Sequence, residues 1–130
     1  MAVLPDDEDE GEETGYRIFS YRSHVQRIIK KYFEASPSQA DQECLPLLYT
    51  LLGNNYLQSL NYEKAIEAYE KAISLSVEPN ALLYFLISQS YLQWCTCRTN
   101  FEKSKTILMA FKYLQVSYKL GFLSNCYFIS

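Results

Sequence analysis

A block of residue types in the middle of this chain returns 35 positions later. Tyr49, Leu52, Gly53 and Tyr56 recur as Tyr84, Ile87, Ser88 and Tyr91: aromatic, large aliphatic, small, aromatic. Spacings of three and four place each set on one face of a helix. A unit of this length holds two helices and cannot bury its apolar face alone, so successive copies must stack. The chain is therefore expected to be all-α, built of antiparallel helical hairpins stacked as a short solenoid.

The first copy predicts its own hairpin in detail. Gly53 and Ala65 are small where two helices come close, and Tyr49, Leu52, Tyr56 and Tyr69 are large where a hole must be filled. The break at Leu60-Asn61-Tyr62 separates the helices, with Asn61 as N-cap of the second. In that second helix Ala65, Ile66, Tyr69, Ala72 and Ile73 form the inward stripe. Glu63, Lys64, Glu67, Glu70 and Lys71 point outward, with Glu67 and Lys71 spaced to pair. Pro79 ends the unit because proline cannot continue a helix.

These offsets resemble the tetratricopeptide repeat. The resemblance implies a scaffold that binds other protein chains, and it divides the sequence into parts. Residues 1–16 read as a disordered acidic tail, and 17–130 as a repeat domain. Within the domain we expect an amphipathic helix over 20–35, a first repeat over 46–79, an extended hairpin over 80–121 and the start of a further helix over 122–130.

The second copy departs from the first. Tyr91 to Ala110 spans 19 residues where Tyr56 to Ala65 spans 9, an insertion of ten. That is close to three helical turns, so either the helices are longer or an ordered loop lies between them. The apolar run Ile107, Leu108, Phe111, Leu114, Val116, Tyr118 and Leu120 predicts a long second helix, with Gly121 as its C-cap.

Charge is unevenly spread. Seven acids and no base lie between Asp6 and Glu13; removing them leaves eight acids against twelve bases. Such a run has too little apolar surface to fold by itself. From Ser23 to Glu34 the apolar residues Val25, Ile28, Ile29, Tyr32 and Phe33 follow helical spacing. Arg22, Arg27, Lys30 and Lys31 supply a basic surface beside aromatic residues, the chemistry of a nucleic-acid contact. The same cations also suit the solvated side of a helix packed on the first repeat, and that reading is preferred. Ala35 to Cys44, with Pro37, reads as a loop, and Pro46 as the first turn of the next helix.

Other functional classes find little footing. There is no glycine-rich phosphate loop, G-x-S-x-G or H-E-x-x-H, and the single histidine is His24, so no catalytic residues are assigned and an enzyme is not expected. Cys44, Cys95, Cys97 and Cys126 have neither disulfide-framework nor paired zinc spacing; reduced thiols without a metal are expected. No cofactor is implied. No apolar run is long enough for a membrane span, and the start Met-Ala-Val-Leu-Pro turns acidic at once, unlike a signal peptide.

The stretch from Leu47 to Phe128, above all the lengthened second hairpin with Phe111, Tyr113, Tyr118 and Gly121 in its second helix, resembles the C-terminal repeat array of the tetratricopeptide subunit of RNA polymerase III transcription factor IIIC. The inter-helix stretch here carries only Arg98, Lys103 and Lys105, where that family is often more basic. That family continues into another repeat, which Asn125 to Phe128 would open, so the chain is expected to be a piece or a short relative of a longer array. The resemblance implies a nuclear scaffold whose partners are other subunits of transcription factors IIIC and IIIB. The alternative is a cytoplasmic co-chaperone module that clamps the C-terminal carboxylate of a chaperone. For that clamp Asn54 is in place, but Thr50 stands where a lysine is needed and Leu86 near where a second asparagine is needed. For either function the candidate partner-binding residues are Thr50, Asn54, Leu57, Phe85 and Gln89.

Overall fold

The computed structural model describes residues 7–34 and 39–121, with side chains from 15 to 34 and from 43 to 121. Five helices follow one another: α1 (Asp7–Glu34), α2 (Gln39–Gln58), α3 (Tyr62–Leu75), α4 (Ala81–Cys95) and α5 (Asn100–Lys119). Each packs against the next in sequence order, the arrangement of a tetratricopeptide-type solenoid. The segment expected to open a further helix, 122–130, lies outside the described residues.

The first hairpin, α2 and α3, forms where its sequence predicts. Its turn passes through Leu60 at φ 62°, and the Asn61 side chain accepts from the Lys64 backbone N–H at 3.3 Å. Ala65, Ile66, Tyr69 and Ala72 are buried along the inner side of α3. The fit is tightest at Gly53. A Cβ built there would lie 2.5 Å from Cε1 and 2.7 Å from Cδ1 of Tyr69. The absence of a side chain at Gly53 thus admits the Tyr69 ring, whose hydroxyl then donates to Asn54 Oδ1 at 2.5 Å. Outside, Glu67 pairs with Lys64 at 3.9 Å rather than with Lys71; both groups are exposed, so the pair is worth only tenths of a kcal/mol.

Two boundaries differ from expectation. Helix α2 begins at Gln39, so part of the expected loop is helical and Pro46 lies inside the helix rather than in its first turn. Proline there forfeits one backbone bond, and burial of the neighbouring Leu45 holds the turn in place. Helix α1 starts at Asp7, not near residue 20, so its first turns include acidic residues assigned to the tail. Acidic residues favour a helix N-terminus through the macrodipole.

Helix α1 lies on the first hairpin. Val25 and Ile29 join Leu52 and Ala68 in one buried cluster. Phe33, expected in the same stripe, is exposed. The inward row is instead Ile18, Arg22, Val25 and Ile29, spaced four, three and four.

The second hairpin resolves the ten-residue insertion. Relative to the first, α4 runs two residues further past its tyrosine, the turn is one residue longer, and α5 starts seven residues earlier before its alanine. Most of the insertion is thus two extra helical turns at the start of α5. Asn80 caps α4, accepting from the Leu82 N–H at 3.0 Å, and Gly121 takes φ 94° just past α5. The side of α5 that faces α4 is not the apolar run that predicts the helix. Thr106, Ala110 and Ser117 are buried, while Ile107, Leu108, Phe111 and Tyr118 are exposed. Small hydroxyl residues can take the inner side because each bonds a nearby carbonyl. Thr106 donates to Glu102 O, Ser88 to Phe85 O, Ser90 to Leu86 O and Ser117 to Ala81 O.

Aromatic rings complete the packing. Tyr113 of α5 stacks on Tyr91 and Tyr84 of α4 with centroids 5.8 and 6.1 Å apart, and Tyr91 stacks on Trp94. The Tyr113 hydroxyl donates to Glu70 of α3 at 2.9 Å, tying the two hairpins together. At the turn, Arg98 lies 4.2 Å over the Trp94 ring and pairs with Glu102 at 3.2 Å. This guanidinium also holds the Glu102 carboxyl below its usual range.

Two outcomes follow from the Gly53–Tyr69 contact. Gly53→Ala gains roughly 1 kcal/mol of helix propensity but overpacks a buried ring, at about 1–3 kcal/mol; urea unfolding should show a net loss with an unchanged slope. Burial also pushes the Tyr69 phenol up to about 12 from 10.0. Its contribution is complete below pH 10 and is lost as pH rises toward about 12, because the unfolded chain ionises first. Alkaline unfolding should therefore be shallower over that range in Tyr69→Phe than in the parent.

Candidate protein-binding face

The first helix of each hairpin has an outer side that its partner helix does not cover. On α2 that side carries Leu47, Asn54 and Gln58, flanked by Thr50 and Leu57; on α4 it carries Leu82, Phe85, Gln89 and Leu92. The 35-residue repeat aligns them in rows: Leu47 with Leu82, Thr50 with Phe85, Asn54 with Gln89 and Leu57 with Leu92.

The predicted residues fall on this face in different states. Thr50 is half-buried and donates to the Pro46 carbonyl at 2.7 Å. Asn54 is exposed, oriented by the Tyr69 hydroxyl that its Oδ1 accepts. Leu57, Phe85 and Gln89 are half-buried. Sequence reasoning missed Leu47, Leu82 and Leu92, which are 61%, 44% and 44% exposed. Their signal was the same 35-residue offset, applied to the outer side as well as the inner.

Chemically the face combines leucine and phenylalanine with three amides, Asn54, Gln58 and Gln89. No Asp, Glu, Lys or Arg occurs from Cys44 to Leu60 or from Pro79 to Cys97. Apolar side chains flanking amides can bury a partner's apolar residues while pairing its backbone polar groups. The face offers no cation for a carboxylate, and Leu86 at the second clamp position packs on the core.

The basic surface of α1 is smaller than its sequence suggests. Arg22 turns inward: Nε donates to Asn55 Oδ1 and Nη2 to Ser59 Oγ, both at 2.6 Å. Its guanidinium also lies 4.1 Å over the Tyr56 ring. Asn55, 2% exposed, in turn donates to the Ile18 carbonyl at 2.8 Å. Arg22 is thus a clamp between α1 and α2, in place of the surface cation expected. Lys30 pairs with Glu34 at 3.9 Å, and Arg27 and Lys31 remain exposed.

Among the described residues, no three His, Cys, Asp or Glu side chains gather as a metal site. Cys95 is buried and Cys44 and Cys97 are exposed; Cys126 lies outside the described residues. Among the described residues no helix is long and apolar enough to cross a membrane. His24 is exposed on α1.

Residues 46–76, the first hairpin from Pro46 onward, match the family model of the tetratricopeptide repeat. No curated protein and no solved structure matches the chain.

The two α1 cations should behave differently when removed. Arg22→Ala leaves the buried Asn55 oxygen without its donor and should cost about 1–3 kcal/mol. Lys31→Ala should change stability by less than about 0.5 kcal/mol. Urea unfolding of both variants checks the contrast.

Proposed function

We propose that this chain is a protein-binding scaffold whose α2 and α4 faces together hold one neutral segment of a partner chain. A tetratricopeptide repeat is a protein-interaction module, and the observation that carries the finer reading is the row register. Leu47–Leu82, Thr50–Phe85, Asn54–Gln89 and Leu57–Leu92 repeat one pattern of side chains across two neighbouring hairpins. The partner is selected by shape, apolar burial and backbone pairing, because the face carries no formal charge.

We assign the scaffold to the RNA polymerase III initiation machinery, in the nucleus, with partners among the subunits of transcription factors IIIC and IIIB. Support comes from the lengthened second hairpin, the feature on which that resemblance rests. Its extra length lies in the first two turns of α5, where Lys103 and Lys105 follow Arg98. The co-chaperone alternative is not favoured, since Thr50 is engaged with its own helix and Leu86 with the core.

Affinity capture with the full chain tests both levels. Recovery of transcription factor IIIC and IIIB subunits is expected, and their recovery should drop at least about tenfold with Leu82→Ser/Leu92→Ser. Both leucines are exposed, so the variant should stay folded. Retention should also change by less than about twofold between low and high salt, as an uncharged face requires. Chaperones recovered instead, and released by a free C-terminal chaperone peptide, would overturn the assignment.

A further inference from the structure

Helix α5 leaves open the face that its counterpart α3 has covered. Ala65 and Ala110 hold equivalent places in the two second helices. Counting from them pairs Ile66 with Phe111, Tyr69 with Leu114 and Ile73 with Tyr118. Ile66 and Tyr69 are buried in a cluster with Leu83 and Ile87 of α4. Phe111 and Tyr118 are instead 53% and 59% exposed, and with Leu114, Gln115 and Lys119 they line a surface groove. On α3 the row in this register receives a helix, so a helix is the occupant its geometry fits.

Charge narrows the kind of helix. Lys105, Lys112 and Lys119 follow at seven-residue intervals, and so form one column beside the apolar row. The acid on this helix, Glu102, is already held by Arg98. Among the described residues neither Lys112 nor Lys119 has an acidic partner. The contrast with the first repeat is direct: the position equivalent to Lys112 is Glu67. At that position the open row is flanked by a base where the covered one is flanked by an acid, and Lys119 stands where α3 has the neutral Ser74.

We propose that α5 is a second docking surface, distinct from the α2–α4 face, that takes an acidic amphipathic helix of a partner protein. The apolar stripe of that helix lies along Phe111, Leu114 and Tyr118. Its flanking Asp or Glu residues, spaced by seven, meet Lys112 and Lys119. Apolar burial supplies the affinity and the lysine column supplies the selection against neutral or basic helices.

The test measures binding of the full chain to two fluorescent three-heptad peptides. They share a leucine stripe and differ only in glutamate or lysine at the flanking positions. The glutamate peptide should bind at least about tenfold more tightly, with the difference shrinking in high salt. Lys112→Glu/Lys119→Glu changes two exposed residues and should reverse the preference; Phe111→Ser should weaken both peptides. Equal binding of the two peptides, or a preference unchanged in the double lysine variant, would overturn the proposal. So would binding that appears only after removal of residues 122–130, since the chain's own end would then be the occupant.

Discussion

The Tyr69 ring seated on Gly53 fixes how closely α2 and α3 approach, and the remaining packing is built outward from that distance. With the ring fully buried, its hydroxyl reaches the exposed Asn54 beside Gly53. One side chain therefore sets both the inner spacing of the hairpin and the orientation of an amide on its outer face. The opposite side of α2 presents Leu52 and Asn55 to α1, where Val25, Ile29 and Arg22 meet them. A looser hairpin would displace all of these groups together, because interiors packed to this density transmit small shifts.

The second hairpin reaches similar closeness by other means. Ser88 stands where Gly53 stands in the first, and serines, a threonine and an alanine occupy the inner sides of α4 and α5. Their hydroxyls bond carbonyls nearby, so burying them leaves no polar group unmet. The larger contacts move to the aromatic stack of Tyr84, Tyr91, Trp94 and Tyr113, and through Tyr113 to Glu70 on the first hairpin. Burial and then the neighbouring Glu70 carboxylate both push the Tyr113 phenol up. With Thr106, Ala110 and Ser117 on its inner side, α5 leaves Ile107, Leu108, Phe111 and Tyr118 exposed.

The legible part of this structure is the part governed by period. Tyr49, Gly53, Ala65, Tyr69 and Ala72 declare the first hairpin, because each residue type answers to one steric demand. The second hairpin was legible in existence but not in orientation. The apolar run of Ile107, Leu108 and Phe111 foretells a helix without saying which side it buries, and the buried residues are Thr106, Ala110 and Ser117. Local hydroxyl bonding is invisible to a pattern that counts apolar residues. Arg22 was misread for a related reason: its charge marks it as surface, but a buried amide and an aromatic ring give it partners inside. The start of helix α2 at Gln39 was not legible, because nothing before Pro46 signals that a proline will be tolerated inside it. On the candidate face, Asn54 and Gln89 are placed by their helix positions, and the exposure of Leu47, Leu82 and Leu92 is shown by the hairpin packing.

The proposed composite surface rests on the rows that α2 and α4 share through the 35-residue offset. Site-specific photocrosslinking tests it most directly, with a photoreactive residue placed singly at Asn54 or Gln89 and, as a control, at Lys31 on α1. The account predicts that the Asn54 and Gln89 probes label one and the same partner, on neighbouring stretches of its sequence, and that the Lys31 probe does not. Labelling of unrelated proteins from the two positions, or of the same partner from Lys31 alone, would contradict it.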